Sequence, residues 1–334
     1  MLSILRYSKQ RLSYAKITVL PLSYGNSSRR SNMKHGFLIT AYRDFDSLQG
    51  LIEQLLNLSD AHIFINIDGR SKTLISQTKN YLLILNNPRV YLQTQVVRWG
   101  SYEHMDVFMQ LAQLAINKGC EYFHTITGQC RIIKPLDQFE DFFMQNQTHS
   151  YIQYFGLPDE NWNGLGEPRL DRVKYYQLHD LLDARKWGIF FVGINKIFIQ
   201  IQKWIGVDRL QDRKYFGGIV YFSINKIAME YLISQWSNLE CEFRFTFCCE
   251  ETVPQTILLN APDTIRNTLI NFDLRFILWA TQYGENPGLL DESNLEQILQ
   301  GNYLFARKFD SRYSKQLIES INQLNLIATD NDAS

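Results

Sequence analysis

The strongest constraint in this sequence is an alternation of short apolar runs and amphipathic stretches between residues 36 and 128. GFLITAY (36–42) is a continuous apolar run ending at Arg43 and Asp44, and it predicts a strand buried on both faces. Leu48, Leu51, Ile52, Leu55 and Leu56 then recur at helical spacing. HIFINID (62–68) predicts a second strand closed by Gly69, a helical stretch covers 74–84, and RVYLQ (89–93) predicts a third strand after Pro88. Met105, Phe108, Leu111, Ala112 and Ala115 mark one face of another helix, with Ser101 as its expected N-cap. YFHTITG (122–128) predicts the fourth strand. Strands alternating with helices imply parallel crossovers, hence an α/β fold with a doubly wound sheet and helices on both faces. Ligands of such sheets bind at the carboxyl ends of the strands, where Asp44, Asp68 and Gly128 stand.

The pattern loosens after residue 150, where Tyr151, Tyr154, Trp162, Tyr175 and Tyr176 mix with glycines and predict loop-rich structure. A strand signal returns at GGIVYFS (217–223), with a helix around 225–235. No stretch approaches the ~20 apolar residues of a membrane-spanning helix. Residues 1–32 carry six Lys or Arg, seven Ser and no acid. That composition fits a dispensable, disordered extension ahead of Met33, or a targeting or membrane-surface segment. Five cysteines, an odd number with Cys248 and Cys249 adjacent and no CxxC, fit a reduced, cytoplasmic protein peripheral at most to a membrane. Lys plus Arg and Asp plus Glu balance at 34 each, which argues against a nucleic-acid partner. A small anionic ligand needs only two or three placed cations and is not excluded. Oligomeric state has no signature in the sequence.

Three segments of the second half stand out together: EETVPQT (250–256), NFDLRFILW (271–279) and NYLFARKFD (302–310). Singly, each has an ordinary reading: a capped helix start, an arginine at an apolar edge, a lysine between core phenylalanines. Together they resemble the core 2 and I-branching β-1,6-N-acetylglucosaminyltransferases, glycosyltransferase family 14, in a short bacterial form. The resemblance runs from about residue 35 to 311 and includes INIDGR, VRWGSYEHMDV (97–107), TGQCRIIKPLDQF (127–139) and GGIVYFSINKIAMEYLI (217–233). Glu-Glu-x-x-x-x-Thr is similar to the family's Asp-Glu-x-x-x-x-Thr, and LFARKFD to its Leu-Phe-Ala-x-Lys-Phe-Asp. Two departures stand out: Cys130 where the family turn has Asp, and Pro254-Gln255 in place of Trp-Ala.

The resemblance implies a GT-A-like Rossmann-type fold and an inverting transferase that needs no divalent metal or other cofactor. It divides the chain into a nucleotide-sugar-binding half (33–150) and an acceptor and catalytic half of the same domain (151–312), followed by a C-terminal helix and tail (313–334). Glu251 becomes the general base, Arg275 and Lys308 the donor diphosphate contacts, and Asp68, Trp99 and Gly128 the donor nucleotide contacts. Arg172, Tyr175 and Gly217 are candidate acceptor contacts. UDP-GlcNAc is the first-choice donor and a glycan or glycolipid of bacterial surface polysaccharide synthesis the acceptor. The alternatives are a xylosyl- or hexosyltransferase of the same fold, or a non-catalytic glycan- or nucleotide-binding protein. Residue chemistry supports the metal-free expectation separately. Metal-dependent transferases put a DxD after a central strand, whereas here Thr127-Gly128-Gln129-Cys130 offers no carboxylate. Asp44-Phe45-Asp46 is expected to cap a helix instead. His104 and His124 are expected to be structural, and Trp162 or Trp187 to pack before they stack on a sugar.

Overall fold

The computed structural model describes residues 33–159 and 170–332. The basic N-terminal stretch and Trp162 therefore lie outside the described residues. Strands β1 (His35–Ala41), β2 (Ala61–Ile67), β3 (Val90–Gln93) and β4 (Tyr122–Thr127) form where the apolar runs predict them. Their crossovers are α1 (Phe45–Leu56), α2 (Lys72–Leu85) and α3 (Glu103–Asn117). The four strands are parallel in the order β3-β2-β1-β4. β1 and β2 are almost wholly buried, as continuous apolar strands must be when both faces are covered, whereas the edge strand β3 is half-buried throughout. One difference from expectation lies at α3. It starts at Glu103, and the Ser101 hydroxyl donates to the Arg98 carbonyl at 2.8 Å instead of capping the helix.

Beyond β4 the chain turns sharply into β5 (Cys130–Ile132), then α4 (Leu136–Gln145), β6 (Ser150–Ile152) and β7 (Phe155–Gly156). After the undescribed segment come α5 (Asp171–Lys174) and α6 (Ala184–Trp204). The run GGIVYFS does not make one strand. Its start belongs to β8 (Phe216–Gly217), which pairs with β7, and its end to β9 (Phe222–Asn225), which runs antiparallel between β4 and β6. Gly218 permits the break, because a Cβ there would sit 2.1 Å from the Gln153 carbonyl oxygen. Then follow α7 (Lys226–Phe243), α8 (Val253–Leu259), α9 (Asp263–Arg266) and β10 (Leu269–Ile270), which completes a seven-stranded sheet in the order β10-β6-β9-β4-β1-β2-β3 among the described residues. β11 (Arg275–Ile277), α10 (Leu295–Leu299), β12 (Phe305–Arg307) and α11 (Lys315–Asp332) end the chain, with β11, β12 and β5 forming a separate small sheet.

One core lies under α3, α7 and α8, and the other under α1, α2 and α4, so helices cover both faces as expected. A third cluster joins β12 to α10 and α11. Inside the second core, His35 Nδ1 lies 3.0 Å from His124 Nε2, and His124 Nδ1 lies 2.9 Å from the Ser223 hydroxyl. Both rings are fully enclosed among Phe37, Phe139 and Phe143. His124 is thus structural, as expected. Burial pushes His35 down to about 3 and His124 well below the ordinary histidine value of 6.5. The unfolded chain therefore binds protons that the fold refuses, and the pair's contribution to stability is complete above pH 6.5 and declines as pH falls toward 3. Histidine ring resonances in an NMR titration should show His35 and His124 still neutral at about pH 5. Titration of either ring near its ordinary value would contradict the enclosure.

Candidate active site

The catalytic-acid candidates lie in a tight loop that the sequence shapes through backbone as much as side chains. Cys248 adopts φ +49° and its amide donates to the Gly100 carbonyl at 2.9 Å. Gly100 itself sits at φ +79°, where a Cβ would lie 2.7 Å from Phe247 and 2.8 Å from His179. Trp99 packs edge-on against Phe247 and His179. Trp99-Gly100 is therefore a packing joint against the acid loop, whereas the sequence predicts a nucleotide contact there. A short 3₁₀ turn, Cys249–Glu251, then delivers the acids to the start of α8. Pro254 falls in the first turn of α8, where its missing amide costs no helical hydrogen bond. Thr256 fastens α8 to β8, its hydroxyl accepting from the Phe216 amide at 3.0 Å. That bond is the physical content of the Glu-x-x-x-x-Thr spacing.

The two acids occupy different environments. Glu250 has a side chain 9% exposed, and its Oε1 lies 3.1 Å from His104 Nδ1. His104 Nε2 in turn lies 3.3 Å from the Thr40 hydroxyl, near the carboxyl end of β1. Glu251 has a side chain 31% exposed, and its Oε2 accepts from Arg172 Nη1 at 2.8 Å. Of the pair, Glu251 is the one an acceptor can reach. Desolvation lifts its carboxyl above the ordinary glutamate value and Glu250 adds to the lift, while Arg172 and, more weakly, His104 oppose it. Arg172 is buried, with its guanidinium 4.9 Å from the Phe247 ring centre. It positions the acid, in a place where sequence suggests an acceptor contact. Tyr175 is buried under Lys174 and Lys203, and Gly217 lies in β8 paired with Phe155.

A second cluster forms beyond the same end of β1. Lys308 follows β12 and donates to Glu285 Oε2 at 2.7 Å, and Arg43 donates to Glu285 Oε1 at 2.7 Å. One carboxylate bridges two cations and is held down to about 2, first by the Arg43 hydrogen bond and then by Lys308, against its partial burial. Burial lowers Lys308, and Glu285 partly restores it. Gln129 organises the cluster. Its Oε1 accepts from Arg43 Nε at 3.3 Å, and its Nε2 donates to the Phe309 carbonyl at 3.0 Å. The turn where a metal-dependent transferase carries carboxylates thus serves here to aim cations. Gly128 fits against Ala41, where a Cβ would come within 3.2 Å, and its amide donates to the Thr40 carbonyl at 3.1 Å. Asp44 caps α1 as expected, accepting from the Ser47 amide at 3.1 Å and from the Ser311 amide at 2.9 Å. Asp68 grips Arg70 through Nε at 2.9 Å and Nη2 at 2.6 Å, and Arg70 also meets Asp183. Burial opposes the Asp68 charge, but Arg70 wins and holds its carboxyl below the usual range.

Arg275, for which the resemblance implies a diphosphate contact, is engaged with main-chain groups. Its guanidinium is buried and donates to the main-chain carbonyls of Thr125 at 3.2 Å, Phe222 at 2.8 Å and Asp273. It also lies 4.7 Å from the Phe305 ring centre. Burial pulls it down to about 10 despite the attraction of Asp273. These bonds commit the side chain to the fold and leave Arg43 as the cation paired with Lys308. Sequence reasoning missed Arg43. The available signal was a basic residue two positions past the end of a central strand. Tyr221 lies between the two clusters, with the Arg307 guanidinium 4.7 Å from its ring centre. Burial raises its hydroxyl, the Arg307 charge opposes the rise, and Glu251 adds weakly to it.

Comparison with known proteins gives partial likeness. No family model matches the chain. Over 100 residues, 29% of the chain, it is 30% identical to the β-glucuronosyltransferase GlcAT14A of Arabidopsis thaliana and 28% identical to GlcAT14B of the same plant. The matched stretch spans 22% and 23% of those proteins. A likeness to these glycosyltransferases is thus found directly, while a likeness to the N-acetylglucosaminyltransferase branch in particular is not. Among solved structures, 4-diphosphocytidyl-2C-methyl-D-erythritol synthase of Anaerococcus prevotii is 10% identical with a TM-score of 0.32, covering 62% of this chain and 76% of that one.

Replacing Arg275 by Met leaves buried carbonyls without donors and should cost about 2–4 kcal/mol of stability. Lys308→Met should cost little, because Glu285 keeps Arg43. Thermal unfolding of the two variants checks this, and equal melting temperatures would return Arg275 to the list of ligand contacts.

Proposed function

We propose that the protein is an inverting glycosyltransferase that moves a sugar from a nucleoside diphosphate donor to a glycan hydroxyl. The observation that carries this reading is the division of charge around the carboxyl end of β1. A half-buried carboxylate, Glu251, stands with the His104 cluster on one side, and the Arg43–Lys308 pair stands with Gln129 on the other. In this reading the acceptor oxygen attacks the anomeric carbon and its proton passes to Glu251. The bond from that carbon to the diphosphate breaks, and the electron pair leaves with the diphosphate. Lys308 and Arg43 take up the charge of the leaving group, displacing Glu285, whose carboxylate stands in for an anionic ligand between them. Arg172 keeps Glu251 ionised and oriented until the proton arrives. In this reading Asp68, at the carboxyl end of β2, and the Arg70 it holds meet the donor nucleoside.

No divalent ion enters this mechanism. Its support is the donor set: Gln129 and Cys130 occupy the turn after β4, and the Asp44 carboxylate is spent on two backbone amides. UDP-GlcNAc is the donor that the family resemblance implies. The plant relatives' names favour a glucuronosyl donor, so UDP-glucuronate is the second reading. Competition of the two nucleotides in a transfer assay separates them.

Glu251→Gln should retain UDP binding and lose ~10²–10⁴-fold in transfer rate. Undiminished turnover would reject Glu251 as the base, and an inactive wild type that still binds UDP would favour a non-catalytic nucleotide-binding protein. EDTA should leave the wild-type rate unchanged, and strict Mn²⁺ dependence would overturn the metal-free mechanism.

A further inference from the structure

We propose that α6 is a docking element that lies in the surface of an anionic membrane. The helix is built inside out. Its buried side carries Asn195 and Gln202 beside Phe191 and Ile199. Asn195 accepts from the Leu178 amide at 2.9 Å and donates to Gln177 at 2.8 Å. Gln202 accepts from the Tyr176 amide at 2.8 Å and donates to its carbonyl at 2.9 Å. The outward side is apolar. Phe190 is 73% exposed and Trp204 87%, with Ile194, Ile197, Ile201 and Ile205 exposed between or beside them. At ~100° per residue these six positions fall within one arc of about 100°, a continuous ridge. The helical stretch after Gly188, which breaks the helix at φ +53°, is ~24 Å long at 1.5 Å per residue.

A soluble protein gains nothing by exposing such a ridge, and patches of this kind mark contact surfaces. The charge pattern selects the partner. Arg185, Lys186 and Lys196 are exposed along the element, while Lys203 pairs with Asp171 at 3.0 Å, and no Asp or Glu occurs from residue 184 to 207. Anionic headgroups complement these cations, while the ridge enters the acyl boundary. Trp187 and Trp204, both exposed, stand near the two ends, where amphipathic rings suit the headgroup level. The helix is also tied to the donor end of the cleft. Asp183 caps it, accepting from the Arg185 amide at 3.0 Å, and pairs with Arg70, which Asp68 holds. Docking would therefore fix the cleft's orientation to the bilayer. This proposal does not require transferase activity, so its failure and the failure of the functional reading are separable.

The test is flotation of the full chain with vesicles of phosphatidylcholine containing ~30% phosphatidylglycerol, compared with phosphatidylcholine alone. The chain should float with the anionic vesicles and release as salt rises. A Phe190→Glu/Ile197→Glu/Trp204→Glu variant should lose at least ~10-fold in partitioning with its melting temperature unchanged. Should that variant fold poorly, Trp204→Phe gives a milder reading: quenching of tryptophan fluorescence by brominated lipid should fall relative to wild type. Three results would overturn the proposal. These are a wild type that stays unbound, variants that bind and quench like wild type (which would put binding elsewhere, for example in the basic residues 1–32), and a wild-type dimer dissolved by the substitutions, which would assign the ridge to a second copy.

Discussion

Arg275 ties the three-stranded sheet of this protein to the seven-stranded one. It starts β11 in the small sheet and donates to carbonyls of Thr125 in β4 and Phe222 in β9 of the large one. Those two strands are antiparallel, and β9 enters the sheet only because Gly218 lets the chain break before it. The guanidinium's planar fork can serve several carbonyls at once, which a lysine could not do. Burying that charge is unfavourable, as its lowered pKa of about 10 records, and the hydrogen bonds and Asp273 offset the cost. Everything after residue 275 is located by this junction, including β12 and the lysine that follows it.

The junction explains how a neutral protein assembles a charged site. β5 leaves β4 through Gly128 and Gln129 and pairs with β12, so Lys308 is brought back beside the carboxyl end of β1, where Arg43 lies. On the other side of that strand end, Thr40 and His104 connect to Glu250. Glu250 is buried and hydrogen-bonded, so the accessible carboxylate is its neighbour. The pair illustrates how one residue of register, enforced by Thr256 on β8, assigns different roles to adjacent identical side chains.

Much of the fold was legible because β1, β2 and β4 are buried on both faces and therefore appear as nearly unbroken apolar runs. Legibility failed further along. α6 falls in the stretch where the sequence predicts loop-rich structure, and it exposes apolar residues while burying Asn195 and Gln202 beside Phe191 and Ile199. GGIVYFS reads as one strand because sequence does not show the close approach of Gln153 that only a glycine at 218 permits. In the site, LFARKFD drew attention to Lys308, and Glu-x-x-x-x-Thr to Glu251. Arg275 is ambiguous in sequence because an arginine among apolar residues looks equally like a ligand contact and a buried fastener. Only the carbonyls of Thr125 and Phe222, some 50 to 150 positions away in the chain, distinguish the two. Arg43 was overlooked because its partners, Gln129 and Glu285, are likewise distant in sequence.

The central claim is that Arg43 and Lys308 form the anion site and that Glu285 holds its place. Calorimetric titration of UDP tests it most directly, using Lys308→Met, Arg43→Met and Glu285→Gln beside the wild type. Removing either cation should weaken binding by ~10-fold or more, and removing the competing carboxylate should strengthen it. Wild-type affinity in both cation variants, or weaker binding in Glu285→Gln, would contradict the account.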